Sequence, residues 1–179
     1  MLFLFEGLDK SGKTTLIKNF VDLSGIDVFK NPIKPTDKMY DRGFVNGTYF
    51  GAYEAARVGK QDLIFDRSHI TEIAYAEVKR GYKPSKNFWL KWEELNKHYV
   101  VVVYVDAPLE TVKERFKTDK EEYVKEKEIE LIAKKYEEYF KKSKLSFVYI
   151  DGSHDRQRML SQLVIQLNNL HFWTARRSR

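Results

Sequence analysis

Gly7-Leu8-Asp9-Lys10-Ser11-Gly12-Lys13-Thr14 satisfies the phosphate-loop pattern G-x-x-x-x-G-K-[ST] at every required position. Met1-Leu2-Phe3-Leu4-Phe5 before it is a short apolar run of the kind that forms a buried parallel strand. After it, Leu16, Ile17, Phe20 and Val21 recur at helical spacing. Strand, glycine-rich turn and helix is the context that makes the pattern a candidate site. Gly7 and Gly12 allow backbone conformations and a close approach that a Cβ would obstruct. The turned backbone, with Ser11 in it, aims N–H groups at one spot, and the helix N-terminus adds a positive dipole end. Such a cradle suits a polyphosphate. Lys13 is placed for the β- and γ-phosphates, Thr14 for Mg²⁺, which takes oxygen ligands, and Thr15 for the α-phosphate. A polyphosphate and Mg²⁺ are therefore the expected ligands.

Outward from the loop, the chain alternates. Strands are expected at 1–6, 26–30, 62–66, 99–105 and 145–150. Helices are expected at 13–24, within 47–59, and at 69–79, 86–97, 108–117, 124–142 and 156–171. Val100-Val101-Val102-Val103-Tyr104-Val105 is the clearest strand, β-branched and apolar on both faces. Alternation predicts an α/β fold: a five-stranded parallel sheet with helices on both faces, in a P-loop domain spanning 1–173. Ligands of such sheets bind beyond the carboxyl ends of the strands. In the 124–142 helix, Glu130–Lys134, Glu137–Lys141 and Glu138–Lys142 are spaced as i,i+4 pairs.

Asp62-Leu63-Ile64-Phe65-Asp66-Arg67-Ser68 is the second informative stretch: an apolar strand ending in an acid and an arginine. Asp66 could hold a Mg²⁺-bound water or accept a proton from an acceptor hydroxyl. Arg67 is permanently charged and suited to bidentate phosphate binding.

Composition sets the bounds. The 179 residues fit one domain, and the absence of cysteine excludes disulfides and thiolate metal sites, which agrees with a cytoplasmic location. No apolar run approaches a membrane span, and no signal peptide is recognisable. Of the net charge of +6, Arg176, Arg177 and Arg179 contribute half, from a basic tail at 174–179. The tail reads as a frayed terminus, so nucleic acid is not an expected partner. His69, His98, His154 and His171 lack metal-ligand spacing and are expected at the surface or at helix caps. Trp89, Trp92 and Trp173 are expected to pack. Tyr40, Phe44, Tyr49, Phe50 and Tyr53 either line an acceptor-base pocket or join the core.

Taken in order, these segments resemble the thymidylate kinase family of P-loop nucleotide kinases. Glu6-Gly7-Leu8-Asp9-Lys10-Ser11-Gly12-Lys13-Thr14-Thr15 is similar to that family's E-G-x-[DE]-x-x-G-K-[ST]-[ST]. Lys30-Asn31-Pro32 resembles R-x-P with Lys for Arg, and Asp66-Arg67-Ser68 resembles D-R-[YHF] with Ser in the third place. Ile70 to Tyr75 is similar to the helix that follows. Tyr104 to Arg115 resembles the strand, proline and helix leading to the lid, and Ile150-Asp151-Gly152 the I-D-[AG] beside the nucleotide base. These segments cover a little over half of the chain.

The resemblance implies transfer of the ATP γ-phosphoryl group to a deoxynucleoside monophosphate, with dTMP first. Lys13 and Thr14 would hold phosphates and Mg²⁺, and Asp151 would lie beside the ATP base. Asp9, Lys30, Arg67 and Tyr75 would hold the acceptor. Arg115 would open a short lid at about 115–125, with Tyr123 within it or over its hinge. The mobile cation would come from Lys10, Arg67 or Arg115, with Lys117 and Lys120 nearby. The resemblance also allows a homodimer. Two other readings stay open. The first keeps the enzyme class and changes the acceptor, to a nucleoside, since Asp-Arg-Ser also resembles the corresponding place in deoxynucleoside kinases, or to a nucleic-acid 5′ end. A non-catalytic nucleotide- or RNA-binding module is the second, although Asn96-Lys97-His98-Tyr99 lacks the aspartate of the guanine-binding N-K-x-D.

Overall fold

The computed structural model describes residues 1–31, 42–117 and 124–170, apart from the side chains of Arg42 and Glu126. Pro32, Tyr40, Lys120, Tyr123, most of the expected lid, His171, Trp173 and the tail at 174–179 lie outside the described residues.

The first half of the chain runs β1 (Leu2–Glu6), α1 (Lys13–Ser24), β2 (Val28–Lys30), α2 (Arg42–Val58), β3 (Leu63–Asp66) and α3 (His69–Tyr75). A π-helical turn at Ala76–Arg80 extends α3. The second half runs α4 (Lys86–Asn96), β4 (Val100–Asp106), α5 (Leu109–Lys117), α6 (Glu126–Phe140), β5 (Ser146–Asp151) and α7 (Arg156–Asn169). The five strands form one parallel sheet in the order β2-β3-β1-β4-β5. β1 is central, with Leu2 paired to Leu63 on one side and to Val100 on the other. Its carboxyl end therefore delivers the glycine loop between the ends of β3 and β4, where an open parallel sheet binds ligands.

Strand alternation sorts the core into two layers. Phe3, Phe5, Ile64, Val101 and Val103 pack against Leu16, Ile17 and Phe20 of α1 and Met159, Leu163 and Leu167 of α7. Leu2, Leu4, Phe65, Val100 and Val102 face the other way, towards α2, α3, α4 and α6. Helices thus cover both faces, as alternation predicts. Trp89 and Trp92 are buried in the second layer, as expected.

Two local expectations need correction. α2 begins at Arg42, ahead of the 47–59 window. Gly43, Gly47 and Gly51 weaken its helical signal, but Val45, Tyr49, Tyr53 and Ala56 bury one stripe against the core, and that burial decides. In α6, Glu130 pairs with Lys113 of α5 at 2.8 Å and Glu138 with Lys135 at 3.2 Å, rather than with the lysines four residues on. A partner across the helix pair, or one at i−3, competes on equal terms with an i,i+4 neighbour.

Candidate functional site

The loop between β1 and α1 is shaped by its backbone. Gly7 has φ 146°, and a Cβ there would stand 2.5 Å from the Val105 carbonyl oxygen. Gly12, at φ 98°, caps α1 and directs the next amides into the turn. A Cβ on Gly152, in the turn after β5, would collide with the Ser11 carbonyl oxygen, so the two turns interlock through glycine. Around them lies a cleft of about 550 Å³ lined by Lys10, Gly12, Lys13, Thr14, Thr15 and Arg115. Its other wall brings Gly152, His154 and Arg156, and Leu8, Asp9, Ser11 and Met159 complete the lining.

Lys13 points from the start of α1 to the end of β3, where its Nζ lies 3.3 Å from Asp66 Oδ1. Lys30, at the end of β2, reaches Asp66 Oδ2 at 3.2 Å. Parallel pairing of β2 with β3, Lys30 opposite Asp66, creates this second contact. Burial pushes the Lys13 ammonium down to about 8, the Arg67 charge pushes the same way, and Asp66 pulls back only in part. Burial works to raise the Asp66 carboxyl, but the Lys13 and Lys30 charges outweigh it and hold the carboxyl below its usual range.

Arg67 occupies the left-handed region at φ 72°, where a non-glycine residue costs about 1–3 kcal/mol. Several ties hold it there. Its backbone N–H donates to the Phe5 carbonyl at 3.1 Å. Its guanidinium pairs with Asp9, donates to the Gly7 carbonyl and Thr71 Oγ1 at 3.4 Å each, and sits 5.3 Å from the Tyr75 ring centroid. Tyr75 donates its hydroxyl to the second Asp9 oxygen at 3.1 Å. Asp9, Arg67 and Tyr75 thus form one cluster. Arg115 bridges the two walls of the cleft, donating to the Lys10 carbonyl at 2.9 Å and the Gly152 carbonyl at 3.0 Å.

Other expectations land elsewhere. Asp151 closes the turn after β5, accepting from Ser153 N at 2.8 Å and Ser153 Oγ at 2.5 Å, and the cleft lining takes Gly152 and His154 instead. Ser68 caps α3 by accepting from Ile70 N at 3.1 Å, and its hydroxyl donates to Glu6. Tyr49 and Tyr53 are core residues. Lys117 is exposed at the end of α5. His69 is fully buried rather than at a surface. It stacks on Trp89 at 4.3 Å, with Nε2 3.0 Å from Glu93 Oε1 and Nδ1 3.0 Å from the Tyr53 hydroxyl.

Glu6 has the largest structural part among residues to which the sequence assigned no role. Fully buried at the end of β1, it accepts from Ser68, from Thr71 and, at 3.0 Å, from the Tyr136 hydroxyl of α6. A carboxylate at the end of an apolar strand and just before a phosphate loop is the signal for it. Glu93, His154 and Arg156 had no comparable local mark.

Phosphate and Mg²⁺ fit these residues. Ser11 Oγ is buried inside the loop without a partner among the described residues, a donor suited to a phosphate oxygen. Among those residues no group of three or more His, Asp or Glu side chains could cage a metal. Mg²⁺ needs no such cage, because it takes one or two protein oxygens and completes its shell with phosphates and water. Thr14 and Asp66 supply oxygens of that kind. Among the described residues no helix is long and apolar enough to cross a membrane.

No protein-family model and no curated protein matches the chain. Solved structures do. The YorR protein of Bacillus subtilis, in complex with phosphorylated GDP, superposes with a TM-score of 0.73 at 19% identity, over 96% of this chain and 98% of that one. Deoxyadenosine kinase of M. mycoides with bound dATP gives 0.70 at 19%, over 94% and 100%. The same enzyme with the products dCMP and a flexible dCDP gives 0.68 at 17%, over 94% and 100%. At these identities the likeness establishes the fold alone: the chain shares the α/β P-loop fold of these structures over nearly its whole length.

Proposed function

We propose that the protein is an ATP-dependent kinase that transfers the γ-phosphoryl group to a deoxynucleoside monophosphate, with dTMP the first acceptor to test. The observation that carries this reading is the Lys13–Asp66–Lys30 arrangement beside Arg67. It offers cations to an acceptor phosphate, and its carboxylate, held below the usual range, is a poor proton acceptor. A monophosphate acceptor needs no strong base, because its attacking oxygen is already largely deprotonated at pH 7, the second pKa being about 6.

In the step itself, an acceptor phosphate oxygen forms a bond to the γ-phosphorus. The bond from that phosphorus to the bridging oxygen breaks, and its electron pair leaves with ADP. Lys13 holds the β- and γ-oxygens as charge shifts towards the bridge, and Arg115 or Lys10 is in position to add a second cation from the cleft wall. Thr14 and Asp66 would hold Mg²⁺, which when bound would supply neutralisation of phosphate charge. Arg67, Asp9 and Tyr75 orient the acceptor.

One observation favours a second acceptor class. Two of the three similar structures above are a deoxyadenosine kinase, and Asp66-Arg67-Ser68 also suits a nucleoside acceptor. ADP release with Mg²⁺-ATP, measured across all deoxynucleosides and their monophosphates, separates the two. The expected result is strongest stimulation by dTMP. Stimulation by a nucleoside alone replaces the acceptor assignment, and no stimulation by any of them removes the kinase reading for small acceptors.

A further inference from the structure

A second cavity, of about 650 Å³, lies on the α6 side of the sheet between the end of β4, the start of α5, the last turns of α6 and β5. Its volume is within the range of small-molecule sites, about 300–1,000 Å³. It is separate from the phosphate-loop cleft, with which it shares Leu8.

Its walls are aromatic. Tyr104 meets Phe140 with centroids 4.8 Å apart at 79° and Tyr149 at 6.1 Å and 76°. Rings set this steeply form walls rather than a closed stack, and they leave faces for a flat guest. The polar groups are Asp106, Glu137, Lys141 and the Tyr104 hydroxyl. Tyr104 is only 7% exposed, yet its hydroxyl has no hydrogen-bond partner among the described residues. Four other buried tyrosines of this layer, Tyr53, Tyr75, Tyr136 and Tyr139, all have partners. The hydroxyl itself is not sealed from solvent: it opens onto the cavity that Tyr104 lines, where it is available to a ligand. Neither Asp106 nor Glu137 is ion-paired among the described residues. Burial raises the Asp106 carboxyl, and repulsion from Asp151 and Glu137 raises it further. The two carboxylates outnumber the Lys141 ammonium in the lining, so the mouth has an excess of acceptors and calls for N–H donors.

We propose that this cavity binds an amino-substituted aromatic heterocycle without phosphate, a free base or nucleoside of the adenine or cytosine type. The exocyclic amine donates to Asp106 or Glu137. The ring nitrogen beside it accepts from the Tyr104 hydroxyl. The ring faces lie against Phe140 and Tyr149. Phosphate is disfavoured by the two carboxylates, the reverse of the preference in the phosphate-loop cleft.

The test is calorimetric titration of the full chain with adenosine and cytidine, with a non-hydrolysable ATP analogue saturating the loop cleft. Inosine and uridine, in which a carbonyl replaces the amine, are the controls, with AMP as the anionic control. Saturable binding of adenosine or cytidine is expected, weakened about tenfold in inosine, uridine and AMP and by a similar factor in Tyr104→Phe and Glu137→Gln. Glu137 is exposed, so its variant reads the site even if Tyr104→Phe folds poorly. The proposal is overturned by no saturable binding tighter than about 10 mM. It is also overturned by binding that both variants leave unchanged, which places the nucleoside in the acceptor pocket, or by equal affinity for AMP.

Discussion

The two faces of the sheet are built by different rules. The layer under α1 and α7 is carbon and two thioethers, from Met1, Phe3 and Phe5 through Phe20 to Met159 and Leu163. The layer under α2, α3, α4 and α6 also buries Glu6, Ser68, His69, Thr71 and Glu93. The difference follows from what each face must hold. The phosphate loop sets its own backbone within eight residues, so its helix needs only packing behind it. The other face, where we propose that the acceptor binds, gathers side chains from distant elements: Tyr136 meets Glu6 across 130 positions of sequence. Apolar packing is non-directional. Hydroxyls donated to a buried carboxylate fix direction, and here they align β1, α3 and α6 beneath Asp9, Arg67 and Tyr75.

If the α1 face serves only the donor, Lys13→Ala removes a phosphate contact and leaves the fold alone. We expect turnover to fall by about 10²–10³-fold, with circular dichroism and the denaturation midpoint close to the parent's. Near-normal turnover would remove the phosphate-loop assignment. A smaller effect is expected from the other face. Glu6→Gln keeps the shape but turns one acceptor oxygen into a donor, facing hydroxyls that already donate. Chemical denaturation should show a loss of about 1–3 kcal/mol, and acceptor KM should rise while ATP KM stays put. An equal rise in both constants would break the division between the faces.

The same division explains what the sequence disclosed. Gly7 to Thr14 was readable because one short stretch encodes its own geometry, and the Val100–Val105 run because burial on both faces needs no partner to recognise it. Asp66 and Arg67 were readable as the end of a strand. His69 was not: its burial depends on Tyr53, Trp89 and Glu93, supplied by α2 and α4. The same holds for His154 and Arg156, which join the cleft only because Gly152 lets the turn after β5 meet the loop at Ser11. Asp151 carries a motif's signature, yet its carboxylate serves the local turn. Contacts within one element were legible, and those needing a second element's arrival were not.

The smallest expected effect is a pH dependence, and it sharpens the comparison because Lys13 and Asp66, the groups proposed to serve donor and acceptor, titrate at different ends of the scale. Lys13 falls from its ordinary 10.5 to about 8, whereas Asp66 sits below its usual range and stays ionised through neutrality. Between about pH 8 and 10.5 the unfolded chain holds the Lys13 proton and the folded chain has released it. The unfolded state then binds more protons, so the contribution of Lys13 to stability rises with pH across that window. Activity should move the other way, because only the charged lysine holds phosphate. We expect kcat/KM for ATP to fall about tenfold per pH unit above roughly 8, reporting the free protein. The fall in kcat should begin at higher pH, because bound phosphates favour the charged lysine. Profiles for both constants that stay flat through pH 9.5 would mean that Lys13 does not carry the donor phosphates. A fall in kcat/KM on the acid side beyond what ionisation of the phosphates themselves at about pH 6 accounts for would mean that Asp66 is less firmly held by its two lysines than the geometry states.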